Sequence, residues 1–118
     1  MNAESLIPLN PRDYLILFSL VSEERHGYGI VKQVEADSQG QVSLDPANLY
    51  RAVKRLIRDG LIAEGDERPT EESGGQKRRY YSITAFGRDV VALEAARLAT
   101  LADAARAESL IPGPESRR

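Results

Sequence analysis

Leu49, Val53, Leu56 and Ile57 recur at i, i+4, i+7 and i+8, the spacing of one helix face. At about 100° per residue, Ala47, Arg51, Lys54 and Arg58 point the opposite way. Asn48 and Arg55 fall on one shoulder and Tyr50 on the other. Asp45 is placed to cap the first free amides, and Pro46 suits a first turn that needs no backbone donor. Gly60 ends the helix, because a residue without Cβ takes the left-handed cap cheaply. Such a helix fits a DNA major groove, and the same pattern also describes a solvated basic face.

Upstream, Leu6, Ile7 and Leu9 read as a short leading helix or an arm. Asn10, Pro11 and Asp13 read as a cap, a first-turn proline and an acid at the positive end of a helix dipole. They open a helix predicted to run to about Ser22. Tyr14, Leu17, Phe18 and Val21 share one face, and Leu15 and Leu20 widen it. That breadth implies burial on more than one side, as core rather than as a ligand box. His26–Gly27–Tyr28–Gly29 reads as a turn, followed by a short helix with Ile30, Val31 and Val34 apolar. This helix fades by Gly40, and Gln41–Val42–Ser43–Leu44 reads as a brief edge strand.

After Gly60 the period changes. Leu61 to Arg68 is an apolar start decaying into charge, and Lys77 to Ile83 alternates strictly. Tyr81 and Ile83 share a face with Lys77 and Arg79, while Arg78, Tyr80 and Ser82 take the other. Between the strands, PTEESGGQ is too long for a tight hairpin. Gly74–Gly75 could belong to a phosphate-cradling loop, but a wing tip explains the pair without a nucleotide.

Thr84 caps a final helix of up to about 26 residues, roughly 39 Å at 1.5 Å per residue. Phe86, Val90 and Leu93 form a stripe that can close the domain's own core. Val91, Leu98, Leu101, Ala102 and Ala105 form a second, displaced stripe, and small Ala95, Ala99 and Ala102 permit close approach. A single domain of this size cannot bury both, so the second stripe is expected to meet an identical subunit about a two-fold axis. The alternative is an alanine-rich helix that frays into solvent. The architecture is mainly α with a small β-hairpin wing (α+β). A winged helix-turn-helix occupies residues 1–83, and one long C-terminal dimerisation helix over 84–110 packs on the same domain. Residues 111–118 read as a disordered tail.

With 118 residues, 42% of them hydrophobic, the chain forms one compact domain with a small core. It has no cysteine, which excludes disulfides and thiolate metal sites, and a single His26 cannot build a metal cluster alone. A cytoplasmic protein is expected, since the N-terminus lacks the basic start and apolar run of a signal peptide. No run approaches the roughly 20 apolar residues that span a bilayer, so no membrane partner is expected. A net charge of −2 argues against a nucleic-acid partner until it is mapped. Residues 46–60 carry +3, and Lys77, Arg78 and Arg79 add another +3, leaving −8 for the remainder. Two basic patches on an acidic body focus a local field that the total conceals.

A DNA-binding transcriptional regulator is the leading function. Ala47, Asn48, Tyr50 and Arg51 lie in the first two turns, where recognition helices meet base edges. Asn48 suits adenine and Arg51 suits guanine. Lys54, Arg55, Arg58, Lys77, Arg78 and Arg79 are assigned to phosphates, which supply affinity and register. The alternative is a winged-helix module that binds an acidic protein partner without DNA. An enzyme has the weakest support, because nothing offers a nucleophile–base pair, a metal set or paired carboxylates at a usable spacing. His26 has no second titratable group beside it and is expected to be structural or solvent-facing. No cofactor is called for.

These placed motifs resemble the PadR-like family of winged helix-turn-helix transcriptional regulators. HGYGI is similar to the segment that opens the family's second helix. NLYRAVKRLIRDGLI is similar to its recognition helix and first wing strand, and GGQKRRYYSITAFG to its wing and final helix. The resemblance covers about residues 9–93 and rests on the order and spacing of these segments. Two features depart from the family pattern: Gly29 stands where an acid is common, and Glu71–Glu72 in the wing loop would repel phosphate. The resemblance implies a two-fold dimer that represses by covering a palindromic operator. It also implies release by a small ligand, often phenolic or multidrug-like, bound near the dimer interface. The short C-terminal part implies the subfamily with a single dimerising helix, and the absence of Trp removes an aromatic clamp used by some relatives.

Overall fold

Asn10, Asp45 and Thr84 each accept a hydrogen bond from the backbone amide three residues on, at Asp13, Asn48 and Gly87. These caps start α1 (Pro11–Ser19), α3 (Pro46–Arg58) and α4 (Ala85–Ala107) where the sequence places them. The computed structural model describes residues 2–70 and 74–113. The acidic pair Glu71–Glu72 and the tail from Pro114 onward lie outside the described residues.

The remaining helix, α2 (Gly27–Asp37), begins earlier than its sequence suggests. His26 is its N-cap, with Nδ1 accepting the Gly29 amide at 3.1 Å, so His26–Gly29 is a cap and first turn rather than a separate turn. A 3₁₀ turn over Ala3–Leu6 precedes α1. At the end of α3, Gly60 takes φ +82° and donates to Ile57 O, while Leu61 donates to Leu56 O. These paired bonds close the helix and aim the chain directly into a strand.

Three antiparallel strands follow the order β1–β3–β2: β1 (Arg25–His26), β2 (Ile62–Pro69) and β3 (Lys77–Ile83). The edge strand expected over Gln41–Leu44 does not form. Ser38 Oγ accepts the Val42 amide at 2.9 Å and Leu44 turns into the core, so that segment is a connector. Arg25 and His26 take the edge position, opposite Tyr81 and Tyr80. The hairpin of β2 and β3 pairs Ile62 with Ile83 and Pro69 with Lys77, with a bulge between Glu64 and Glu67.

The core joins the four helices and the hairpin of β2 and β3. Ile16 and Leu17 from α1 and Leu20, its C-cap, meet Ile30 and Val34 from α2, and Leu49, Val53 and Leu56 from α3 close the other side. The buried face of α1 is rotated from the expected one: Asp13 and Ile16 point inward, and Phe18 is 43% exposed with its ring stacked on Tyr14 at 5.8 Å. Only the first half of α4 reaches the core, through Val90, Val91 and Glu94. Val91, expected at a dimer interface, is 6% exposed within its own chain. Consecutive Val90 and Val91 straddle the line where α4 crosses the domain, so both are covered. Beyond Glu94 the apolar residues emerge, with Leu98 39% and Leu101 54% exposed.

Gly87 sets how closely α4 can approach. A Cβ there would overlap the Leu61 carbonyl oxygen and lie 2.8 Å from Ile83 Cγ1. At Gly29, by contrast, an added Cβ would find its nearest atom at 3.5 Å, an ordinary contact. Gly87→Ala is expected to destabilise the fold by roughly 1–3 kcal/mol through overpacking. Gly29→Ala is expected to be neutral or stabilising by up to about 1 kcal/mol, because alanine is the better helix former. Denaturant midpoints of the two variants against the parent check both signs.

Candidate nucleic-acid interface

The helix α3 is held from one side only. Leu49, Ala52, Val53 and Leu56 are buried, whereas Ala47, Tyr50, Arg51, Lys54 and Arg58 are exposed and Asn48 is half-buried. Each Leu or Val so covered contributes about 1.5–3 kcal/mol, enough in combination to seat the helix without help from its outward face. Tyr50, 61% exposed, stands at the edge of that face, with Lys54 Nζ 6.0 Å from its ring centre. A chain of hydrogen bonds runs along the first two turns. Asp45 accepts from Asn48, and Asn48 accepts from Arg51.

Arg55 departs from its expected role at a phosphate. Its Nη1 and Nη2 donate to Asp13 Oδ2 and Oδ1 at 2.8 and 2.9 Å, and Asp13 is 4% exposed. The hydrogen bonds to Asp13 push the Arg55 guanidinium above its ordinary value, so it stays charged beside the carboxylate. A fork pair of this geometry ties α1 to α3 and sets the helix's rotation on the core. Arg55 is a clamp.

On the wing, Lys77 is exposed and Arg78 half-buried. Arg79 donates to Gly65 O at 2.7 Å and lies 3.7 and 3.8 Å from the carboxylates of Glu64 and Glu67. Its charge is therefore balanced across the bulge, which weakens the phosphate role expected for it. At the wing base, Arg68 pairs with Glu24 and its guanidinium sits 3.7 Å from the Tyr80 ring centre. The Tyr80 ring meets His26 edge-on at 5.4 Å, docking the hairpin on the start of α2.

Sequence reasoning passed over Tyr28 and Lys32. Tyr28 is 49% exposed, with Lys32 Nζ 5.4 Å and Arg78 Cζ 5.6 Å from its ring centre. Their i, i+4 spacing on α2 was a readable signal, obscured by placing Tyr28 in a turn. Tyr28, Tyr50, Arg78 and Arg79 rim a groove of about 510 Å³ floored by Leu49 and Tyr81, between α2, α3 and the wing. Cations and aromatic rings around a groove beside an exposed helix suit a sugar–phosphate backbone passing between major and minor grooves.

A second polar cluster lies on the far side of α1. Glu94, 1% exposed, accepts from Arg97 Nε and Nη2 at 2.7 Å each and from the Leu9 amide at 3.3 Å. The hydrogen bonds from Arg97 hold its carboxyl below the usual carboxylate range. Glu94 and Arg97 wall a cavity of about 450 Å³ with Tyr14, Leu15 and Leu98. The Glu94–Arg97 spacing was visible in sequence, but no local pattern announces the contact with Leu9. Among the described residues, no helix is long and apolar enough to cross a membrane.

Residues 16–93 match the Transcriptional regulator PadR-like family, and the chain belongs to it. It is a family of regulators rather than enzymes. An uncharacterized protein of Lysinibacillus sphaericus is 31% identical over 78 residues, covering 64% of this chain and 67% of that protein. The fold is similar to a PadR family transcription regulator from Clostridium difficile R20291, with 25% identity and a TM-score of 0.66 over 80% of this chain and 94% of that one. It is also similar to Bacillus subtilis PadR solved with operator DNA. There the identity is 24% and the TM-score 0.56, over 71% of this chain and 46% of that one. Both comparisons agree with the winged-helix α+β architecture.

The clamp makes a separable prediction. Arg55→Ala is expected to lower stability by about 1–3 kcal/mol, because it leaves the Asp13 carboxylate buried without its charged partner. Arg58→Ala, on the exposed end of the same helix, is expected to change stability by less than about 0.5 kcal/mol. Chemical denaturation of both variants, without DNA present, checks the contrast.

Proposed function

We propose that this chain is a sequence-specific DNA-binding regulator that acts as a homodimer and represses by occupying a palindromic operator. The observation that carries the reading is α3 itself, buried along Leu49, Val53 and Leu56 and fully presented along Ala47, Tyr50, Arg51 and Lys54. Ala47, Asn48, Tyr50 and Arg51 face the bases, and Lys54, Arg58, Lys77 and Arg78 face phosphates. Bacillus subtilis PadR, similar in fold and solved with operator DNA, supports the DNA-binding part of this reading.

Leu98, Leu101, Ala102 and Ala105 supply the dimer contact. Two-fold pairing of the free half of α4 covers the exposed leucines. The cavity between α1 and α4 serves as the effector site. Its volume suits a small aromatic molecule, and its walls border the exposed stripe of α4. A ligand there acts on α1, which grips α3 through Asp13 and Arg55.

Duplex titration against salt tests the function. Each phosphate neutralised contributes about −0.9 to the slope of log K against log salt. Two subunits offering several cations each give a slope of about −5 or steeper. Arg51→Ala is expected to cost roughly 1–3 kcal/mol on the best site and to relax preference at one position per half-site. Arg78→Ala is expected to weaken all duplexes alike and to make the slope shallower by about one for each phosphate it leaves without a cation. A salt-independent response would turn the assignment toward a protein partner instead. For the dimer, Leu98→Asp with Leu101→Asp is expected to yield a folded monomer by light scattering at micromolar concentration. Unchanged mass would remove the distal half of α4 from the interface.

A further inference from the structure

We infer that Asn48 positions Arg51 for a single guanine in each half-site, with Asp45 holding Asn48. The three residues form a relay in place of two independent readers. The inference rests on the DNA-binding reading and refines which side chain carries its specificity.

The geometry is specific at each link. Asp45 Oδ1 accepts the Asn48 backbone amide at 2.8 Å, the capping bond of α3. Its second oxygen, Oδ2, accepts from Asn48 Nδ2 at 2.8 Å. Asn48 Oδ1 in turn accepts from Arg51 Nη2 at 2.6 Å. A carboxylate only accepts and a guanidinium only donates, so these neighbours leave the Asn48 amide one orientation. The spacing of three residues at each step makes each side chain a surface neighbour of the next.

Nη2 belongs to both donor edges of the guanidinium. Giving one of its hydrogens to Asn48 leaves the other edge with two parallel donors, the match for guanine O6 and N7. A long arginine on an exposed helix otherwise loses rotamer freedom when it binds. Holding it beforehand moves that loss from association into folding. The negative charge of Asp45 is tolerated because it sits on the positive end of the α3 dipole.

The test uses the full chain and the duplex selected from a random pool, carrying either the preferred guanine or 7-deazaguanine, which lacks N7. Titrations compare the parent with Asn48→Ala, Asp45→Ser, Arg51→Ala and the Asn48→Ala/Arg51→Ala double variant. Asn48→Ala keeps the cap and improves helix propensity, and serine at position 45 still caps but offers Asn48 no second oxygen. Circular dichroism verifies that each remains folded. Asn48→Ala is expected to reduce the guanine preference on the order of ten-fold, and Asp45→Ser several-fold. Asn48→Ala is expected to add nothing once Arg51 is alanine. The relay is overturned if Asn48→Ala leaves the guanine preference intact or abolishes preference at a different base pair, since Asn48 would then be inert or an independent reader. A parent protein that prefers no duplex overturns the DNA-binding reading and the relay with it, an outcome distinct from a selective parent with an indifferent variant.

Discussion

A helix presented along one face has to be fixed by the other, and the rest of this structure serves that constraint on α3. The row Leu49, Ala52, Val53 and Leu56 supplies the apolar seat. The fork of Arg55 on Asp13 then prevents rolling, which an apolar seat alone permits. Apolar burial is non-directional, whereas two parallel hydrogen bonds have one satisfactory geometry. The Asp45 cap and the Gly60 termination set where the helix starts and stops along that seat. Four separate kinds of interaction thus converge on one element.

Charge follows the same division. Seven cations in two patches suggest a strongly basic surface, but two of them are paired with acids of the same chain. Arg55 neutralises a buried aspartate and Arg79 balances the acids of the opposite strand. What remains outward is Arg51, Lys54, Arg58 and Lys77, with Arg78 leaning on Tyr28. The wing is stitched to the body by Arg68 on Tyr80 and Glu24, so its position relative to α3 is built in.

The long helix α4 has two occupations along its length. Through Glu94 it is a core element, held close by Gly87 and tied to the N-terminal arm by the hydrogen bond to Leu9. Past Glu94 it carries exposed leucines and alanines outward from the domain. The cavity with Tyr14 and Leu98 lies at the junction of these halves. It is bordered by α1, by α4 and by exposed Leu98.

Local chemistry determined much of this protein directly. Caps at Asn10, Asp45 and Thr84, the helical spacing of Leu49 and Val53, and the alternation from Lys77 to Ile83 are short-range signals, and the structure follows each. The family motifs, the outward row of α3 and the exposed distal face of α4 were legible for the same reason. Tertiary structure decided which members of each pattern are free. Asp13 and Arg55 lie 42 positions apart, Leu9 and Glu94 lie 85 apart, and no periodicity links such pairs. Val91 shares a stripe with Leu98, yet one is core and the other exposed, because α4 outruns the domain it crosses. Arg25 and His26 displaced Gln41–Leu44 from the sheet edge once Leu44 was claimed by the core. Periodicity specifies which side of an element faces inward, but only the packed chain specifies how far that inside extends and which charges meet within it.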